Sequence, residues 1–251
     1  MSTSSFSWPY PQLIAHRGAG RYAPENTLTA IRLGAQHGFK MMEYDVKLSK
    51  DGIAILLHDD TLDRTSNGKG VAADLTLAEL STLDFGHWHS RDYAGEPIGT
   101  LQSIADYTLS NDIASNIEIK PTKGQEKETG FTVARKAAEL WRDASLPPLL
   151  SSFSEVALLA AREAAPELPR ALLLARELPD DWKEKAERLG CTGINMNTRY
   201  ITRDNVQAIR NAGYAVAVYT VNDPERAREL INWGCNALFT DEIKTISPIY
   251  F

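Results

Sequence analysis

Short apolar runs alternate with longer amphipathic stretches over most of the chain. Brief runs of apolar and β-branched residues read as buried strands. Stretches with an apolar residue every third or fourth position read as helices. "LIAHRG" (13–18) is a strand and its turn. The helix after it is "ENTLTAIRLGAQHG" (25–38), with Leu28, Ile31 and Ala35 on one stripe and Gly38 at its end. "MMEYD" (41–45) is the next strand. Further on, "NIEIK" (116–120) precedes a helix at 130–141, "LLSSF" (149–153) one at 154–163, and "RALLLA" (170–175) one at 180–190. "GINMN" (193–197) precedes a helix at 202–213, "YAVAVYTV" (214–221) one at 223–234, and "NALFTD" (236–241) is the last strand.

Strands that alternate with helices pair in parallel. Starts near residues 13, 41, 116, 149, 170, 193, 214 and 236 make eight strands, which predicts an α/β fold of the TIM-barrel type. Neither a P-loop nor a G-x-G-x-x-G supports an open nucleotide-binding sheet. Asp223 and Pro224 can open a helix, and Gly190, Gly213 and Gly234 stand where a left-handed residue closes one. Residues 46–99 are too many for a strand-to-helix loop. The expectation is one barrel domain over 1–251, with a small cap inserted at about 46–99 after the second strand. "SKDG" (49–52) predicts a hairpin there, 75–83 reads as helical, and 85–97 as irregular.

Composition narrows the partners more than the fold. Hydrophobic residues make up 43% and charged residues 24%, which suits a globular protein. A net charge of -6 disfavours nucleic acid, which wants a basic footprint, yet a local basic cluster can still hold a small anion. Cys191 and Cys235 are too few for a disulfide framework and read as reduced thiols. "MSTSSFSWPYPQ" shows no secretory pattern, and no stretch approaches the ~20 apolar residues of a membrane span. A cytoplasmic protein without membrane contact is expected, its oligomeric state left open.

The hairpin brings chemistry together. Folding back at Lys50–Gly52 sets His58 opposite Tyr44 or Asp45. Residues two apart on a strand share a face, so Glu43 pairs with Asp45 and Glu118 with Lys120. His16 and Arg17 end the first strand. Active sites of TIM barrels lie at the C-terminal strand ends, where all seven side chains would converge. Three carboxylates there resist burial and repel one another, and a bound cation answers both problems. An all-oxygen set suits Mg²⁺ or Ca²⁺, a cytoplasmic setting leaning to Mg²⁺, whereas zinc would favour His or Cys. Arg17 and Lys120 fit a phosphate. His16 and His58 read as a base–acid pair, so the residues suggest metal-assisted phosphodiester cleavage.

Other residues carry weaker readings. Phe153, Tyr219 and Trp88 are candidates for a substrate wall, with core packing as the competing role. Glu25 either caps the first helix or orients Arg17, and Asn26 reads as the N-cap. "HWH" (87–89) reads as cap packing rather than a metal pair, and "KGQEKE" (123–128) as a solvated loop.

"AHRG" with "PENT", then "EYDVKLSKDG", "LLHDDTLDRTSNGKG", "NIEIKP", "LLSSF" and "VYTVN" resemble the glycerophosphodiester phosphodiesterases in order and spacing, over nearly the whole chain. The signal-free form is similar to the bacterial cytoplasmic type. The resemblance implies a TIM barrel with an inserted cap. It also implies hydrolysis of glycerophosphodiesters, such as glycerophosphocholine and glycerophosphoethanolamine, to sn-glycerol 3-phosphate and an alcohol. It gives His16 and His58 the acid and base roles, Glu43, Asp45 and Glu118 a divalent metal, and Arg17 and Lys120 the phosphate. In the family the glycerol 2-hydroxyl is thought to attack first, through a cyclic phosphate. Tyr219 stands where the family often has Trp, which bears on the shape of the glycerol wall. Two other readings remain. A lysophospholipase D-like enzyme would show an apolar membrane-facing surface, and a non-catalytic glycerophosphodiester-binding barrel would lack an acid, base or ligand.

Overall fold

Strand and helix alternate along the chain in the computed structural model, which describes residues 7–249. In order come β1 (Leu13–Ala15), α1 (Leu28–Gln36), β2 (Met41–Leu48), β3 (Ala54–Leu56), α2 (Leu77–Leu80), α3 (Leu101–Ser110) and β4 (Ala114–Ile119). Then follow α4 (Glu126–Leu140), β5 (Leu149–Ser152), α5 (Glu155–Ala164), β6 (Arg170–Leu174), α6 (Trp182–Leu189) and β7 (Gly193–Asn197). Last are α7 (Arg203–Asn211), β8 (Ala215–Tyr219), α8 (Pro224–Trp233) and β9 (Ala237–Thr240). The sheet order β1-β9-β8-β7-β6-β5-β4-β2, closed by β1 on β2, makes a barrel of eight parallel strands. The TIM-barrel expectation is borne out.

Alternation along the strands sorts the side chains. Met42, Tyr44, Val46 and Leu48 pack with helix residues such as Ile31, Ile104 and Val133 in the main core. Their neighbours Met41, Glu43, Asp45 and Lys47 face the barrel interior. Ile14, Met41, Leu149, Ala217 and Phe239 form a second apolar cluster with Tyr10, whose hydroxyl donates to the Pro147 carbonyl at 3.0 Å. The interior is thus apolar at the N-terminal end of the strands and charged at the other.

β1 pairs with β2 only at Ala15 and Met42, so the outer half of β2 is free to pair with β3. That hairpin is antiparallel, with Val46 facing Leu56 and Leu48 facing Ala54. The Leu57 N–H donates to the Asp45 carbonyl at 3.1 Å, which extends the pairing and brings His58 opposite Tyr44. Between β3 and α3, Ile55, Leu57, Leu62, Leu80, Phe85 and Ile98 form a small core of their own. The helix expected over 75–83 is the single turn of α2, held by a capping box between Thr76 and Glu79.

Two local expectations are corrected. Thr27, not Asn26, caps α1: its hydroxyl accepts from the Ala30 N–H at 3.2 Å. Residues 126–128 belong to α4, where Glu126 and Glu128 in the first turn suit the positive end of the helix dipole. Asp223 does accept from the first-turn N–H groups of α8, and Gly190, Gly213 and Gly234 all have positive φ. Among the described residues no helix is long and apolar enough to cross a membrane.

Candidate active site

Glu43 and Asp45 come from β2 and Glu118 from β4, at neighbouring register positions. They are 2%, 1% and 8% exposed, and one carboxylate oxygen from each lies within 4.8 Å of the others. Among the described residues no other group of three or more such side chains is brought together closely enough to hold an ion. Two ionised carboxylates at that distance repel by about 3 kcal/mol at an effective dielectric near 20. The site responds unevenly. Burial and then Asp45 push the Glu43 carboxyl up to about 8, and burial and Asp45 raise Glu118 as well. Burial works against the charge of Asp45 too, but Arg17, Lys120 and His58 outweigh it and hold Asp45 below the ordinary carboxylate range. Glu43 Oε1 is buried without any donor. An orphaned oxygen beside two further carboxylates fits a hard divalent cation.

The histidines flank this group. His16 follows β1, its Nδ1 is 2.6 Å from Asp241 Oδ1, and its Nε2 is 3.8 Å from Glu43 Oε2. Burial opposes the imidazolium, but the hydrogen bond to Asp241 and the charge of Glu43 raise its pKa above the ordinary histidine value. His58 follows β3, with Nδ1 2.7 Å from Asp59 Oδ1. Burial, assisted by Arg17 and Lys120, pulls its pKa down against Asp45 and Asp59. Lys47, fully buried, donates to the Asp59 carbonyl at 2.5 Å and to Asp60 Oδ1 at 2.9 Å, which fixes this corner.

Two cations complete the rim. The Arg17 guanidinium donates to Glu25 Oε1 at 2.7 Å and its Nε lies 3.4 Å from Asp45 Oδ2, while its backbone N–H donates to Glu43 Oε2 at 2.9 Å. Glu25 therefore orients Arg17 rather than capping α1. Lys120 donates to Glu118 Oε1 at 2.7 Å and lies 3.6 Å from Asp45 Oδ1. Its ammonium also sits 5.3 Å from the centre of the Phe153 ring, which meets Tyr219 edge-on at 5.8 Å.

His16, Arg17, Glu43, His58, Glu118 and Lys120 all line one cavity of about 280 Å³, with Phe153 and Tyr219 on its wall. Asp45 lies just outside that lining. Trp88 does not reach the cavity. Its indole donates to the Phe85 carbonyl at 2.8 Å and packs edge-on against His89, so the substrate-wall reading of Trp88 is corrected.

The sequence reading missed three polar partners. Asn26 donates to Asp45 Oδ2 at 2.9 Å and accepts from the Asp45 N–H at 3.0 Å, which supports that carboxylate from two sides. Asp241, which follows β9, supports His16, and Asn222 donates to its other oxygen at 2.9 Å. Arg64 bridges Asp59 and Glu25. Only the position of Asp241 at the end of a predicted strand hinted at a place in the site.

The family model described as "Glycerophosphoryl diester phosphodiesterase family" matches residues 16–245. A glycerophosphodiester phosphodiesterase from Caldanaerobacter subterraneus subsp. tengcongensis is 31% identical over 236 residues, which span 93% of this chain and 95% of the relative. One from Bacillus subtilis is 28% identical, over 91% of this chain and 82% of its own. Among solved structures, an Oleispira antarctica phosphodiesterase in complex with the product sn-glycerol-3-phosphate is similar with a TM-score of 0.89 and 38% identity, covering 94% and 95% of the two chains.

Proposed function

Because the chain belongs to the glycerophosphoryl diester phosphodiesterase family, we propose that it hydrolyses glycerophosphodiesters, such as glycerophosphocholine and glycerophosphoethanolamine, to sn-glycerol 3-phosphate and the free alcohol. The observation that carries this reading is a cavity lined by Glu43, Glu118, two histidines and two cationic side chains, with Asp45 buried beside the two carboxylates. The product named for the Oleispira antarctica relative supports the substrate class.

Glu43, Asp45 and Glu118 would hold a divalent cation, with Mg²⁺ favoured over Ca²⁺ in a cytoplasmic setting. Cys191 and Cys235, buried and unpaired, agree with that setting. When bound, the cation supplies positive charge against the negative charge that develops on the phosphoryl oxygens. Arg17 and Lys120 hold the phosphate. Asp241 and Asp59 each engage the Nδ1 of a histidine, which leaves Nε2 of His16 and of His58 to move protons. One takes the proton of the attacking nucleophile, either water or a substrate hydroxyl whose cyclic product water then opens, and the other supplies one to the departing alkoxide. Phe153 and Tyr219 form the wall beside the bound glycerol.

The test is release of sn-glycerol 3-phosphate from glycerophosphocholine by the purified, Mg²⁺-loaded protein. EDTA should abolish it, and His58→Ala should lower turnover by about 10²–10⁴-fold while cation binding persists. Intact substrate bound tightly with no product formed would overturn the reading in favour of a binding barrel. Preferential cleavage of long-chain lysophosphatidylcholine would move the substrate class instead.

A further inference from the structure

Arg64 lies between β3 and α2, outside the cavity, yet two parts of the site meet at its guanidinium. Its Nε donates to Asp59 Oδ2 at 2.7 Å and its Nη2 to Asp59 Oδ1 at 3.1 Å. Toward the other side, Nη1 donates to Glu25 Oε2 and Nη2 to Glu25 Oε1, both at 2.8 Å. The same carboxylates serve the cavity. Asp59 Oδ1 meets His58 Nδ1 at 2.7 Å, and Glu25 Oε1 accepts from Arg17 at 2.7 Å. An unbroken chain of contacts runs from His58 through Asp59, Arg64 and Glu25 to Arg17.

An isolated surface ion pair contributes little to stability and fixes little in geometry. This one differs in geometry. A forked guanidinium bonded twice to each of two carboxylates sets their angle as well as their distance. The side chain of Glu25 is only 13% exposed, so it has little room to find another partner. Glu25 precedes α1 and Asp59 follows β3, so no shared element holds them together. With Arg64 removed, the two carboxylates would face each other without the cation between them, and each would be free to turn away from the group it orients.

We propose that Arg64 is a positioning residue that sets the His58 ring and the Arg17 guanidinium together, by clamping their carboxylate partners to one another. The inference rests on the roles given to His58 and Arg17 above. It gives the segment between β3 and α3 a part in assembling the site.

Steady-state kinetics of Arg64→Ala on glycerophosphocholine tests this. The expected kcat/KM falls by about 10²-fold, the scale of a small misplacement at a reacting centre. The loss is shared between kcat, through His58, and KM, through Arg17. Arg64 is 43% exposed, so its removal leaves an opening to solvent, and millimolar guanidinium should restore much of the loss where ammonium does not. Wild-type kcat and KM in Arg64→Ala, or a loss that guanidinium does not relieve, overturns the clamp. If that variant fails to fold, Arg64→Lys is read in the same assay. It keeps the charge but cannot fork to both carboxylates, so lowered kcat with raised KM is expected and wild-type constants overturn the proposal. His58→Ala measured alongside separates the two readings. Full activity there removes the role of His58 itself, whereas its loss beside an unaffected Arg64→Ala removes the clamp alone.

Discussion

Glu43 accepts a hydrogen bond from the Arg17 N–H through Oε2, while its Oε1 meets no donor. Its carboxyl, pushed up to about 8 by burial and by Asp45, keeps a proton at neutral pH when no cation is present. A cation must expel that proton, so its affinity rises with pH until the carboxyl is already ionised, by about tenfold per unit for one proton. Calorimetric titration with Mg²⁺ at about pH 7, in two buffers of different ionisation enthalpy, is expected to show proton release that fades above about pH 9. Binding at neutral pH without proton release would contradict this account of Glu43. At this scale the sequence showed the rim well, because strand alternation alone places Glu43 beside Asp45 and Glu118 beside Lys120. It hid their supports. Asn26 has the look of a helix cap, but a φ of 61° takes it out of the cap position and its amide serves Asp45 instead. Asp241 lies 225 residues from His16, a contact made by closing the barrel and marked by no local spacing.

Elements meet closely behind the site. Gly20 begins the single 3-10 turn after β1, with φ at 54°. A Cβ placed on it would come 2.2 Å from the Asp241 Cα. Gly20→Ala must therefore push back the chain that follows β9 and draw Asp241 away from His16. The expected result is a stability loss of about 1–3 kcal/mol, typical of overpacking, together with a fall in kcat of up to about 10²-fold. Denaturant melts and kinetics on the same sample check it. A destabilised variant with wild-type kcat would show that His16 does not depend on Asp241. Strands and long helices were legible here because their apolar periods are long enough to read. The short pieces were read less well: the helix expected over 75–83 is only one turn, and the charged start of α4 resembles a loop. The turn residues leave the β2–β3 register ambiguous by one residue, and such a slip would turn His58 to the other face of the hairpin.

For the molecule as a whole, closure of the barrel is what turns scattered residues into a site. Side chains from positions 16 to 120 meet only because β1 closes on β2 and β4 follows β2 in the sheet. The count of eight apolar runs sufficed to foresee that closure. The contacts across it could not be foreseen, since they depend on which strand ends come to lie side by side. The net charge of -6 suggests nothing about an anionic substrate, yet Arg17 and Lys120 bring two positive charges to the cavity that Glu43 and Glu118 line, where they would receive the proposed phosphate. The most direct test of the central claim is an anomalous difference map from crystals grown with Mn²⁺ and sn-glycerol 3-phosphate. One ion should touch Glu43, Asp45 and Glu118 together, with the phosphate against Arg17 and Lys120 and both histidines facing it. An ion bound elsewhere, or a phosphate out of reach of His16 and His58, would contradict the account.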